Sequence, residues 1–183
     1  QNMVLGLAGR VKIFLKRAGT IILAVAFVLW ILLSFPKAAT TVGVDENAHA
    51  AYQIEQSYAG RAGKWLEPIL QPLGFDWKIG VGIIASLAAR EVVISTLGTV
   101  YAVGSEEENR LALGDALQKD PNFSLASALS LLVFYILACQ CVSTLAVTKR
   151  ETNSYRWPMI MFTYMTLLAY GAAFLTYQVA SLV

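Results

Sequence analysis

The chain has 183 residues, of which 57% are hydrophobic and 14% charged, with a mean hydropathy of +0.58. A soluble domain carries about 25% charged residues, and the apolar residues here lie in long uncharged runs, which argues against a soluble globular fold. A net charge of only +2, without a long basic tract, argues against nucleic acid as a partner. The composition predicts an all-α, polytopic transmembrane helical bundle in a lipid bilayer.

The first apolar run follows a basic segment. Residues 4–17 are predicted to form an amphipathic helix with four cations between positions 10 and 17. Residues 18–35 carry no charge, and their number is close to the roughly 20 residues that a bilayer core requires. Because cationic flanks favour the cytoplasm, the start of this span is expected on that side.

Two polar segments are predicted to contain interfacial amphipathic helices. Residues 58–77 mix tryptophans with charges and two prolines, which fits a helix in the membrane interface; a packed extracellular loop is the alternative. Ser105 and Glu108 form a capping-box pattern that opens a short helix ending near Gln118. The lone His49 is expected to be solvated in a polar loop.

Residues 78–103 consist of two apolar halves that meet at the charged pair Arg90 and Glu91. Each half has about a dozen residues, which is half the length of a span. Two architectures fit this pattern. One is a single long helix with an ion pair at mid-membrane, and the other is a broken or re-entrant hairpin whose half-helices meet at a polar break.

Two further uncharged spans, 125–148 and 157–183, flank the basic loop 149–156. If 78–103 crosses once, this loop falls on the outer side, against the tendency of cationic loops to stay in the cytoplasm. If 78–103 returns to the side that it left, the loop is cytoplasmic and the end of the chain lies outside. The loop charge favours the hairpin without deciding the topology.

The Arg90–Glu91 pair is the first candidate functional feature. A charge inside an apolar segment costs about 3 kcal/mol on insertion, so such residues tend to face a bundle interior or a watery path. Glu91 is a candidate cation site, with Arg90 as its gate ion-pair partner and Ser95 on the same helix face. The alternative is an ion pair that only fixes helix register.

The second candidate feature is the pair Cys139 and Cys141. Thiolates are soft ligands that suit transition metals. On a regular helix these two positions point to nearly opposite sides, so both bind one ion only if the helix is broken. Ser143 shares a face with Cys139, and Thr144 shares one with Cys141. The alternative is that both cysteines are small packing residues.

Catalytic signatures are missing from the sequence. It contains no phosphate-binding loop, nucleophile motif or zinc-ligand spacing. The chain is therefore predicted not to be an enzyme and to hold no permanent cofactor.

Three long motifs resemble one family. They are SYAGRAGKWLEPILQPLGFDWKIGV at 57–81, AAREVVISTLGTVY at 88–101 and CQCVSTLAVTKRET at 139–152. Together they resemble the C-terminal membrane, or gate, region of ferrous iron transport protein B, and the likeness covers nearly the whole chain. Cys141 matches the cysteine of a proline-cysteine pair in that family, while Gln140 stands where the family often has proline.

The resemblance implies a multi-pass protein of the bacterial inner membrane that takes up Fe(II). Residues 1–183 would be the second half of the membrane domain, following an N-terminal GTP-binding domain and a first gate region that this chain lacks. The family's GTPase activity would reside in that absent domain, Fe(II) would be the transported ion, and a homo-oligomer is expected.

The resemblance also implies an ion path. The family pattern supplies only Cys141 of this path. The positions of residues in this sequence add Thr144, Glu91 and Ser95, with Cys139 and Ser143 as further candidate ligands. Two other functions compete with iron transport. One is a nucleoside-type or other small-solute transporter gate, and the other is a non-transporting membrane scaffold subunit.

Overall fold

The computed structural model describes residues 19–37, 46–90, 92–103, 110–139 and 141–182. Every regular element in these ranges is helical, which confirms the predicted all-α bundle. The helices are α1 (Gly19–Ser34), α2 (Glu46–Gln56), α3 (Tyr58–Leu70), α4 (Trp77–Ala85), α5 (Val92–Val100), α6 (Arg110–Lys119), α7 (Leu125–Leu137), α8 (Val142–Thr152) and α9 (Arg156–Ala180), with a 3₁₀ turn at Gln71–Leu73.

The pair α7 and α9 forms the main core of the bundle. Ala169 and Ala173 of α9 are fully buried, and these small side chains let the two helices approach closely. The hydroxyl of Ser130 on α7 donates to the carbonyl of Ala173 at 3.0 Å. Phe134 of α7 packs edge-on against Phe75, with ring centroids 6.0 Å apart. The core therefore joins α7 and α9 to the turn that precedes α4.

The outer faces of the long helices are apolar. Leu132 of α7 is 60% exposed, and Leu167 and Leu175 of α9 are 67% and 63% exposed. The ranges Leu125–Thr152 and Arg156–Ala180 are long and apolar enough to cross a membrane, and α1 is a shorter apolar helix. Apolar surface of this extent is typical of a membrane protein, since water would penalise it.

Helices α3 and α4 touch backbone to backbone through glycine. A Cβ atom added to Gly63 would lie 2.7 Å from the carbonyl oxygen of Trp77 and 2.9 Å from a methyl group of Val81. On the facing helix, a Cβ on Gly80 would lie 3.4 Å from the Cα of Gly63. These glycines allow close packing, as the small-residue contacts of membrane helices do.

Helices α4 and α5 fold back on each other as a hairpin. On one straight helix Lys78 and Tyr101 would be about 35 Å apart. In the structure the Lys78 ammonium lies 4.3 Å from the centre of the Tyr101 ring. A Cβ on Gly82 of α4 would contact Val93 and Leu97 of α5. Of the two architectures that the sequence leaves open, the structure has the hairpin.

At the open end of this hairpin, an ion pair joins α4 to the segment that follows α6. The Lys78 ammonium donates to Asp120 at 2.6 Å. Burial acts to raise the pKa of Asp120, but the hydrogen bonds from Lys78 and from the Asn122 amide outweigh it and hold the pKa below its ordinary value. Asp76 caps α4 by accepting from the Ile79 amide at 3.0 Å, and burial raises its pKa.

The remaining predicted segments include one that is helical as expected, one residue that is placed differently, and two stretches outside the described ranges. Residues 58–77 are helical over α3 and the following 3₁₀ turn, and Gly74 ends this stretch with a φ of 76°. His49 lies on α2 and its Nε2 atom is buried. The prediction that His49 is solvated in a polar loop is therefore wrong. The basic segment 4–17 and the capping box at Ser105 and Glu108 lie outside the described residues.

Candidate functional site

Two interrupted helices meet inside the bundle. The first interruption lies between the end of α4 at Ala85 and the start of α5 at Val92. The second lies between the end of α7 at Leu137 and the start of α8 at Val142, where the sequence predicts one span over 125–148. The amide of Val142 donates to the carbonyl of Leu87 at 3.0 Å. The thiol of Cys141 lies 3.8 Å from the carbonyl oxygen of Ala88. We call this meeting point the break junction.

The backbone of the break junction is held by short local bonds. Ser86 is fully buried, its amide donates to the Gly82 carbonyl at 2.9 Å, and its hydroxyl donates to the Ile83 carbonyl at 2.7 Å. Ala138 and Cys141 have extended backbone, with ψ angles of 134° and 115°. Non-helical backbone in an apolar bundle persists where protein partners satisfy it or where it lines a polar path.

The helix ends concentrate polar backbone groups at the break junction. Helices α4 and α7 end there, so their last carbonyl groups point toward it, and α5 and α8 begin there with their first amide groups. Carbonyl ends carry partial negative charge and amide ends partial positive charge. Discontinuous helices of transporters bind ions and solutes with these groups.

Both cysteines lie in the interruption between α7 and α8. Cys139 and Cys141 are free and half-buried. The opposed directions that a regular helix imposes on these two positions do not apply, because neither residue is helical. Cys141 immediately precedes α8, with Ser143 and Thr144 next to its thiol. The thiol, two hydroxyl groups and the Ala88 carbonyl thus form a mixed set of sulfur and oxygen donors.

Of the other predicted site residues, the structure describes Arg90 and Ser95 on the hairpin. Arg90 is exposed in the hairpin interruption, whereas Glu91 lies outside the described residues, so the gate ion pair stays a prediction. Ser95 is half-buried on α5 and its hydroxyl donates to the Val92 carbonyl at 3.2 Å. Within the described ranges, no three His, Cys, Asp or Glu side chains come close enough to hold a metal ion together.

Sequence reasoning missed two contributors to the break junction. One is the unwound backbone at Leu87 and Ala88, whose carbonyls meet Val142 and Cys141. The other is Tyr135 of α7, whose buried hydroxyl lies next to Ser86. The signal for Tyr135 was a polar-tipped aromatic residue within an otherwise apolar span, which by itself also fits a residue near the membrane interface.

An apolar cleft separates the break junction from α1. It has a volume of about 360 Å³, and its lining includes Val25 and Val28 of α1 together with Leu87 and Val142. The junction therefore lies level with the middle of α1. Interrupted helices that meet level with the middle of another apolar helix define a class of membrane proteins built from discontinuous helices.

The comparison with known families agrees with this class. Residues 15–155 match the family described as "Gate: Nucleoside recognition". The chain belongs to this Gate family, and the match includes both interruptions.

Similar proteins come from several bacteria. A Fe(2+) transporter FeoB from Leptospira interrogans is 46% identical over 98% of this chain and 26% of its own length. A Fe(2+) transporter FeoB from Campylobacter jejuni is 35% identical over 94% of this chain and 28% of its own length. A Fe(2+) transport protein A/Fe(2+) transporter FeoB fusion protein from Porphyromonas gingivalis is 31% identical over 92% of this chain.

The chain spans about a quarter of the length of these relatives, and in the Leptospira protein it corresponds to the C-terminal part. No solved structure matches the chain. The resemblance that the three sequence motifs indicated is thus confirmed, for the part of the relatives that the chain covers.

Proposed function

We propose that this chain is the ion-conducting C-terminal part of a GTP-dependent permease for ferrous iron. The observation that carries the proposal is the contact between the Cys141 thiol and the unwound Ala88 carbonyl, where two interrupted helices meet. The names of the relatives support iron as the substrate.

The donor set at the break junction suits Fe²⁺. Fe²⁺ accepts sulfur together with nitrogen and oxygen ligands. Cys141 would supply sulfur, while Thr144, Ser95 and backbone carbonyls would supply oxygen, and Glu91 would add a carboxylate. An ion in transit must also leave, so several weak sites fit transport better than a closed cage.

The rest of the transporter would supply the energy and the partner helices. The relatives contain about three times as much additional sequence, which would hold the GTP-binding domain and the first gate region. This chain would itself catalyse no reaction and would hold no resident cofactor. We place it as a multi-pass protein in the bacterial inner membrane, assembled as a homo-oligomer.

Contacts between helix ends suggest how the chain crosses the membrane. Ile21, near the start of α1, lines the same cleft as Lys149 and Arg150. At the other end of α1, Leu32 and Leu33 pack with Val100 at the end of α5. The basic segment 149–156 covers the end of α8 and the turn into α9. It would therefore share one side with the start of α1, and the positive-inside rule makes that side cytoplasmic. The hairpin α4–α5 would enter from the outside and return there.

This topology predicts which loops a membrane-impermeant maleimide labels in intact cells. In a background without other cysteines, we expect Asn122→Cys, between α6 and α7, to react from outside. Thr152→Cys, at the end of α8, should react only after permeabilisation. Both positions are exposed, so the difference reports sidedness. The reverse labelling pattern would contradict the proposed orientation.

The substrate is tested by uptake of radioactive Fe(II) into cells that lack their own ferrous transporter. The intact transporter should accumulate iron, and Glu91→Gln should lower the rate at equal protein level because a carboxylate ligand is lost. Asp115→Asn is the control, since Asp115 is exposed on α6, and it should leave uptake unchanged. Normal iron uptake by Glu91→Gln would remove Glu91 from the path.

The same cells distinguish the competing functions. The name of the matched family raises a nucleoside as the alternative substrate. Uptake of labelled nucleoside without uptake of iron would replace the proposal with a nucleoside transporter. Uptake of neither substrate would favour a non-transporting scaffold subunit.

A further inference from the structure

A second cleft lies between the start of α1 and the loop that joins α8 to α9. Its volume is about 410 Å³, and its lining includes Ile21, Lys149, Arg150, Ser154 and Tyr155. It lies at the opposite end of α8 from the break junction. We propose that this cleft binds the phosphate of an anionic phospholipid headgroup.

The lining of this lipid cleft is cationic. Lys149 donates a hydrogen bond to the Tyr155 hydroxyl, and its ammonium lies 3.8 Å from the centre of the Tyr155 ring. This contact holds the ammonium at the cleft wall. Arg150 has no carboxylate partner in the described part of the chain, where the ion pairs are Lys64–Glu55 and Lys78–Asp120. Two cations without a lining carboxylate attract an anion.

Polar groups at the helix boundary supply further phosphate donors. Asn153 ends α8 in a left-handed conformation with a φ of 46°, which turns the chain toward α9. The hydroxyl of Ser154 accepts from the Arg156 amide at 3.2 Å, so the first turn of α9 is fixed. Because an accepting hydroxyl keeps its own proton, Ser154 can also donate to a phosphate oxygen. Glu151 is exposed and does not line the cleft.

The surroundings of the cleft point to a lipid rather than a soluble phosphate. On the helices that border it, Leu23 of α1 is 72% exposed, and Trp157 and Ile160 of α9 are 60% and 58% exposed. Tyr155 and Trp157 form an aromatic belt of the kind found at headgroup level. A headgroup in the cleft would therefore place its acyl chains against apolar helix faces, whereas a soluble anion gains nothing from them.

Native mass spectrometry of the intact chain in detergent tests this site. Phosphatidylglycerol, phosphatidylcholine and inorganic phosphate are added separately, and phosphatidylglycerol is then challenged with inorganic phosphate. We expect retention of phosphatidylglycerol over phosphatidylcholine, and no displacement by an equal concentration of inorganic phosphate.

Variants that remove the charges of Lys149 and Arg150 test whether phosphatidylglycerol binds in this cleft. Lys149→Gln and Arg150→Gln should each weaken phosphatidylglycerol binding about 5-fold, and the double variant about 30-fold, as expected if each cation near the surface contributes similarly. The Lys149→Arg/Arg150→Lys exchange should bind like the parent. Lys119→Gln is the matched control, because Lys119 is exposed at the end of α6.

Three results would overturn the proposal. The first is parental affinity in the double variant, and the second is equal retention of the two lipids. The third is displacement by inorganic phosphate, which would make the ligand a soluble anion. Thermal unfolding in detergent checks each variant's fold, and the single variants keep the test decisive if the double variant unfolds.

Discussion

Replacing Cys141 with alanine is expected to lower ferrous iron uptake at least about ten-fold at equal protein level. The thiol is the sulfur donor of the break junction and lies 3.8 Å from the Ala88 carbonyl. Loss of residues that merely support a metal ligand already costs about 10- to 100-fold in metal affinity, so loss of a ligand should cost no less. Initial rates of radioactive Fe(II) uptake, with protein level measured by immunoblot, provide the measurement.

Cys139→Ala is the matched control for this prediction. Cys139 lies two residues away in the same interruption and is also half-buried. Only Cys141 has a described hydrogen-bond contact with the hairpin, so Cys139→Ala should lower uptake much less. Cys141→Ser tests the role of sulfur, because serine retains a small polar group but is a harder ligand. Parental uptake by Cys141→Ala would place the ion path elsewhere.

Replacing Gly63 with alanine is expected to destabilise the bundle by about 1–3 kcal/mol, the usual cost of overpacking. The added Cβ would lie 2.7 Å from the carbonyl oxygen of Trp77, and backbone cannot yield as a flexible side chain can. Helix α3 would have to move away from α4. Thermal unfolding in detergent, followed by circular dichroism, should show a lower midpoint and reduced expression.

Gly171→Ala is the control for the glycine contact. Gly171 lies on α9, and a Cβ there would meet nothing within 4 Å among the described residues. Alanine also has the higher helix propensity. We therefore expect this variant to be as stable as the parent or more stable. If Gly63→Ala unfolded like Gly171→Ala, the close approach of α3 to α4 would not contribute to stability.

The helix pattern was largely predictable because it depends on local properties of the sequence. Uncharged runs, the charged pair Arg90–Glu91 and the half-length flanks are all visible along the chain. They predicted the helices, and they favoured an interruption near residue 90 over a single long helix without deciding between the two. The interruption between α7 and α8 was not predictable in the same way. It contains no proline or glycine, and it depends on the bond from the Val142 amide to the Leu87 carbonyl in another helix.

The candidate site was predictable in its residue types but not in its assembly. The charge pair indicated a functional site because charges in an apolar segment cost free energy. The thiols indicated a metal site because thiolates bind transition metals. The meeting of Cys141 with Ala88 joins positions 53 residues apart. A contact at this separation depends on how α4, α7 and α8 pack. The packing of distant helices cannot be read from a single sequence.

By itself, the sequence determined that this is an apolar, helical membrane protein with a charge pair in one segment and two thiols in another. These properties follow from the cost of placing polar groups in hydrocarbon, which acts on each segment separately. Only the tertiary structure decided that residues 78–103 turn back as a hairpin and that their break meets the break before α8. Those outcomes depend on glycine contacts, the contact of Lys78 with the Tyr101 ring and a backbone hydrogen bond between distant segments.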